Sequence, residues 1–197
     1  MNPATASVSD FKAFLRRFHP DIDDSALELL LGELKPLSIR KGAYLIEAGQ
    51  VQKDLLFVYQ GVQMTCFDND GEQHVITFSY PPSLAGIPDS FFYQTPSQDS
   101  ILALTASEFG CISHQRLQEL FDQSQPLERL FRKMVEAKLA GLIMRHKEFH
   151  AYTIKERFQR FAQRSAHLFQ LVPHKYLANY LNISPTNFSK LFNSTNW

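Results

Sequence analysis

The chain has 197 residues, 44% hydrophobic and 20% charged, which fits one or two folded domains and excludes a disordered chain. Its zero net charge is unevenly divided: residues 1–125 hold 8 Lys/Arg and 16 Asp/Glu, and residues 126–197 hold 12 and 4, so the second part suits a polyanion. No apolar run approaches the roughly 20 residues that span a bilayer, and two cysteines, Cys66 and Cys111, exclude a disulfide scaffold or a four-thiolate metal site.

The first elements are helical. Phe11, Phe14, Leu15 and Phe18 fall at helical spacing. Pro20 interrupts, and Asp23-Asp24-Ser25 predicts the cap of a second helix through Leu27, Leu30, Leu31 and Leu34. From Pro36 the period shortens. Short strands are predicted around Leu37–Ile39, Tyr44–Ile46, Leu55–Tyr59, Val62–Phe67, His74–Phe78, Ser100–Leu104 and Glu108–Ser113. Gln60-Gly61 and Asp68-Asn69-Asp70-Gly71 supply turns, and Pro81-Pro82 ends the run. So many short strands predict a β-barrel, β-roll or jelly roll.

After His114 the helical period returns. Leu117, Leu120 and Phe121 predict a short helix, and Pro126 suits the first turn of a longer one to about His150. Two apolar stripes run along it. Leu127, Leu130, Met134, Ala137, Gly141 and Met144 form one; Phe131, Val135, Leu139 and Leu142 form the other. Covering both calls for the β domain on one side and a second copy of the helix on the other. Another helix is predicted over 153–170, with Phe158, Phe161, Ala162 and Leu168 inward and Lys155, Arg157, Arg160 and Arg164 outward.

The last segment is the most informative. Leu177, Ala178 and Leu181 give a short helix its inner face; Asn182-Ile183 is a tight turn; Ser184 caps a second helix with Pro185 at its first position. Phe188, Leu191 and Phe192 point inward. This is the pattern of a helix-turn-helix. Outward lie Ser184, Thr186, Asn187, Ser189 and Lys190, short donors suited to base edges and phosphates in a major groove.

The order of these parts resembles the Crp/Fnr superfamily of bacterial transcription regulators, from about residue 8 to the end. The resemblance rests on Leu37–Gly42, Leu55-Leu56-Phe57-Val58-Tyr59-Gln60-Gly61, the turn Asp68–Gly71, Thr105–Phe109 and Tyr176–Pro185. It implies an α+β chain. A cyclic-nucleotide-binding-like, jelly-roll-like antiparallel β-roll with N-terminal helices would span 1–125. A dimerisation helix would span 126–150, and a helix-turn-helix domain 151–197. Winged members add a β-hairpin, for which no length remains before Trp197; the chain is therefore similar to the wingless, Bacteroidetes-type subgroup.

The departures concern the ligand. Family members that bind cyclic nucleotides carry Gly-Glu-Leu, then Arg-Ser or Arg-Thr. Here the corresponding stretches are Ala85-Gly86-Ile87-Pro88 and Ser97-Gln98-Asp99-Ser100, and no Lys or Arg lies between Lys53 and Arg116. A buried phosphate with no cation is costly. Gly86, Ile87, Gln98 and Asp99 thus mark a degenerate pocket, and cyclic AMP is not an expected ligand. Two cysteines also exclude the four-cysteine iron–sulfur cluster of the oxygen sensors.

Other candidates are weaker. His146 and His150 stand four residues apart, a spacing able to hold a metal, but without the carboxylate pattern of a metalloprotease. They read as solvated, and no metal or cofactor is expected. Only His74 lies in a strand, which disfavours a cupin metalloenzyme. Cys66 and Cys111 have no basic neighbours and read as small buried hydrophobes. Phe91-Phe92-Tyr93 reads as core filling, with an apolar pocket lining as the alternative. No nucleophile elbow, P-loop or carboxylate pair supports an enzyme.

The reading is a cytoplasmic, homodimeric regulator of duplex DNA, with an effector, if any, of unknown identity. Lys175, Tyr176, Lys190 and Asn193 are the expected phosphate contacts, and Thr186, Asn187 and Ser189 the base contacts. The alternative is a ligand-binding or protein-interaction β-roll that has lost DNA binding.

Overall fold

The computed structural model describes residues 5–194. Helix α1 (Val8–Arg16) begins at a reciprocal cap: Ser7 Oγ accepts from the Asp10 N–H, and the Asp10 carboxylate accepts from the Ser7 N–H. Asp23 caps α2 (Asp24–Gly32) through the Ala26 N–H. Both caps stand where the polar residues precede the apolar period.

The strands follow as β1 (Lys35–Ile39), β2 (Tyr44–Ile46), β3 (Asp54–Gln60), β4 (Gln63–Asn69), β5 (Glu72–Ser79) and β6 (Ser83–Ala85); after α3 (Pro88–Tyr93) come β7 (Ser100–Ala103) and β8 (Ser107–Ser113). They form two four-stranded antiparallel sheets, ordered β1-β8-β3-β6 and β2-β7-β4-β5. Asp70 and Gly71 both adopt positive φ at the β4–β5 turn, as the tight hairpin requires. The expected β-roll is therefore present, with two further elements. Strand β6 follows the cis Pro81–Pro82 bond and is too short to show a period. Helix α3 uses Pro88 as its first residue instead of being broken by it. Phe91 is buried, whereas Phe92 and Tyr93 are exposed, so that aromatic run divides between core and surface.

The remaining helices are α4 (His114–Gln123), α5 (Gln125–Ala151), α6 (Ile154–Ser165), α7 (Leu168–Leu171), α8 (His174–Leu181) and α9 (Pro185–Asn193). The single helix expected over 153–170 is two. At the break the Phe169 N–H reaches the Ala166 carbonyl and the Gln170 N–H the His167 carbonyl. This tighter winding turns Leu168 and Phe169 inward, and both are buried.

Two large apolar clusters hold the chain together. One joins α1, α2, β3, α3 and α4 to the start of α5 through Phe11, Leu27, Phe57, Leu117, Leu127 and Leu130. The other crosses from the β-roll into the last helices: Met64, Cys66 and Phe78 pack with Phe158, Phe161, Leu177 and Phe188.

Gly61 links β3 to β4 at φ +92°, and a Cβ there would stand 2.3 Å from Ser107 Oγ and 2.5 Å from the Ala106 carbonyl oxygen. Gly61→Ala is expected to cost about 3 kcal/mol, from a left-handed non-glycine residue and the clash together. Urea unfolding checks this; an unchanged midpoint would show that the turn can relax freely.

Candidate nucleic-acid interface

The helix-turn-helix is built from local signals. Asn182 ends α8 in the left-handed conformation (φ 53°, ψ 53°). The Ile183 N–H returns to the Ala178 carbonyl at 2.9 Å, closing the helix end. Ser184 Oγ accepts from the Asn187 N–H, and Pro185 opens α9. Leu177, Ala178, Leu181, Ile183 and Phe188 are buried. The Phe188 ring lies 5.5 Å from Phe158 and 5.3 Å from His174. The small Ala178 side chain is 2% exposed, which leaves α8 and α9 in close contact.

With Phe188 inward, the opposite face of α9 is exposed. Ser184, Thr186, Asn187, Ser189, Lys190 and Asn193 are all exposed. Lys175 is exposed too, its ammonium 4.8 Å from the centre of the half-buried Tyr176 ring. The expected DNA-contact residues thus occupy the surface of α9 and the first turn of α8.

The basic residues of α6 divide differently from the expected outward set. Arg157 is half-buried; it donates to the Tyr152 carbonyl at 3.2 Å and the Asn182 carbonyl at 3.1 Å. It braces the turn and is not available outside. The Arg160 guanidinium stacks 4.0 Å over Tyr152, and Arg164 is 3.6 Å from Glu148.

The sequence reading missed how this unit is seated. Asn179, on α8, pairs with the edge of β5: its Oδ1 accepts from the Val75 N–H at 2.7 Å, and its Nδ2 donates to the Gln73 carbonyl at 3.1 Å. The ring of Tyr180 lies 5.1 Å from Phe78. Tyr80 and Ser165 hydroxyls are 3.0 Å apart. From α5, Arg145 donates to the Tyr180 carbonyl at 2.7 Å and lies 3.5 Å over its ring. An amide that mimics a neighbouring strand has no sequence signature.

The segment from β6 to β7 contains Gly86, Ile87, Gln98 and Asp99, the residues expected to mark a degenerate pocket. Gln52, nearly fully buried, accepts from the Ile87 N–H at 2.7 Å and donates to the Asp54 carbonyl at 2.8 Å. A Cβ on Gly86 would meet Gln52 Nε2 at 3.1 Å. Ser90 Oγ accepts from the Gln52 N–H and donates to the Thr95 carbonyl. Ser97 Oγ does the same for the N–H and carbonyl of Asp99. Polar groups of this segment thus serve one another. Gln98 is exposed and Asp99 half-buried. Burial, then the charge of Asp89, pushes the Asp99 carboxyl above its ordinary range. Burial also pushes the Cys66 and Cys111 thiols up to about 11, so neither is a ready thiolate.

The family model described as the cyclic nucleotide-binding domain matches residues 36–124. Solved structures share the fold over most of the chain. Catabolite activator protein from Thermus thermophilus is 15% identical, with a TM-score of 0.58 over 90% of this chain and 84% of that one. FixK2 from Bradyrhizobium japonicum is 13% identical, with a TM-score of 0.69 over 81% and 83%. The c-di-GMP-responsive regulator Clp from Xanthomonas campestris is 16% identical, with a TM-score of 0.64 over 87% and 90%. No curated protein matches by sequence. Among the described residues, no helix is long and apolar enough to cross a membrane.

The segment between β6 and β7 thus holds a carboxylate whose ionisation the fold disfavours. The folded pKa of Asp99 is raised, so its charge costs stability at neutral pH and protonation relieves that cost. Asp99→Asn is expected to raise the melting temperature at pH 7, with the advantage fading as pH falls through the carboxylate range. An advantage independent of pH would show that the charge is not the cause.

Proposed function

We propose that the chain is a homodimeric, sequence-specific DNA-binding transcription regulator whose cyclic nucleotide-binding domain does not take cyclic AMP. The observation that carries the reading is α9, anchored by the buried Phe188 and presenting Ser184, Thr186, Asn187, Ser189 and Lys190 to solvent. Its N-terminal turn enters a major groove. Thr186, Asn187 and Ser189 read base edges. Lys175, Tyr176, Lys190 and Asn193 hold phosphates, and the Ser184 hydroxyl proton remains free to donate while its oxygen caps the helix.

Dimerisation is supported by α5. Its first turns bury Leu127, Leu130 and Phe131 within the chain. Beyond them, Val135, Leu139, Leu142 and Ile143 are each at least half exposed. Covering each would contribute on the order of 1 kcal/mol. A second copy of α5 covers this stripe and sets two α9 helices about one DNA turn apart.

The pocket reading rests on charge. A cyclic phosphate would meet Asp99 and no cation, since no Lys or Arg occurs between Lys53 and Arg116. An effector, if there is one, has other chemistry; Clp of Xanthomonas campestris responds to c-di-GMP. A second reading, a β-roll module without DNA binding, is favoured by the scarcity of charge: α8 and α9 hold only Lys175 and Lys190 as cationic Lys/Arg.

Selection from random duplexes, with no nucleotide added, is expected to enrich an inverted repeat with half-sites about 10–10.5 base pairs apart. Lys190→Ala should weaken binding and lower the salt slope by about one per bound subunit. No enrichment together with no salt-dependent binding would favour the second reading.

A further inference from the structure

We infer that His146 and His150, with the same pair from a second copy, hold one divalent transition-metal ion of borderline softness, such as Zn²⁺, at the end of the α5 seam. This rests on the dimer reading above. The two imidazoles lie one turn apart on α5, exposed, with ring centres 4.4 Å apart. Among the described residues, neither ring makes a hydrogen bond or ion pair.

Their place on the helix carries the argument. At about 100° per residue, Val135, Leu139, Leu142, His146, Phe149 and His150 fall within one sector about 100° wide. After the buried Phe131 at its start, the apolar members of that stripe from Val135 onward are exposed. The buried Leu130 faces another way. The histidines therefore continue the surface that a second copy would cover, and residues beside a two-fold axis meet their own counterparts.

The chemistry follows from the donor count. No group of three or more His, Cys, Asp or Glu gathers in one chain among the described residues. One chain supplies two imidazoles and leaves a tetrahedral ion half coordinated. Two chains supply four, a closed site. Imidazole donors suit Zn²⁺, Cu²⁺ or Ni²⁺ rather than Ca²⁺ or Mg²⁺. Four imidazoliums at one seam would repel; four neutral imidazoles on a cation do not. The helix also ends at Ala151, where unpaired carbonyls favour positive charge. The neighbouring cations point elsewhere. Arg145 and Lys147 lie about 100° to either side of His146, and Arg145 is held by the Tyr180 carbonyl.

Such an ion would clamp the seam just before Tyr152, where the backbone becomes extended (φ −108°, ψ 143°) and leads into α6. It would thereby fix the spacing of the two helix-turn-helix units.

The test uses the full chain stripped with chelator. Zn²⁺ is titrated by calorimetry, and sedimentation is run with and without Zn²⁺. One Zn²⁺ per two chains is expected. His146→Gln and His150→Gln should each weaken binding by more than about tenfold, and the double variant should abolish it with melting unchanged in the metal-free state. One ion per chain, binding that survives the double variant, or a dimer that takes no Zn²⁺ would overturn the site. A chain that stays monomeric with and without Zn²⁺ would overturn the dimer reading as well.

Discussion

Helix α5 must satisfy two sets of neighbours, and the rest of the molecule is arranged around that requirement. Its first turns are part of the core that joins α1, α2, α4 and the β-roll, through Leu127, Leu130 and Phe131. Its later turns leave that core and expose Val135, Leu139, Leu142 and Ile143. Near its end, Arg145 turns back to the carbonyl and ring of Tyr180. One helix thus touches the β-roll and the helix-turn-helix while keeping an apolar stripe uncovered. An apolar stripe with no partner is unfavourable in water; in the proposed dimer a second copy of the helix covers it.

The helix-turn-helix is not an appendage of the β-roll. Phe78 and Met64 share a core with Phe161, Leu177 and Phe188. Asn179 occupies the hydrogen-bonding positions of a strand beside β5, covering part of a sheet edge that would otherwise be open. A change in the β-roll therefore has two physical routes to α9. One runs along α5 to Arg145 and Tyr180, the other through the β5 edge.

Much of this was legible in the residues. The caps at Ser7, Asp23 and Ser184, the hairpin at Asp70-Gly71 and the left-handed Asn182 each follow from a local preference that tertiary contacts reinforce. The exposed face of α9 was legible because Phe188 fixes which side is inward. What was hidden is non-local. Strand β6 and helix α3 are too short for periodicity. The break between α6 and α7 depends on burying Leu168 and Phe169. Arg157 reads as a surface cation until the Asn182 carbonyl is beside it. A degenerate pocket was expected from missing charge, and within that segment Gln52, Ser90 and Ser97 pair with backbone groups.

The central claim is that paired α5 helices place two α9 helices one DNA turn apart, and inter-subunit distance tests it most directly. Ser194→Cys puts a spin label at the exposed end of α9, outside the set of proposed DNA contacts, while Cys66 and Cys111, with thiols pushed up to about 11, resist labelling at neutral pH. Electron–electron double resonance on the labelled chain with duplex DNA at low salt should give a distance near 35 Å, about one helical turn. Absence of any inter-subunit coupling, or a distance far from one turn, would contradict the account.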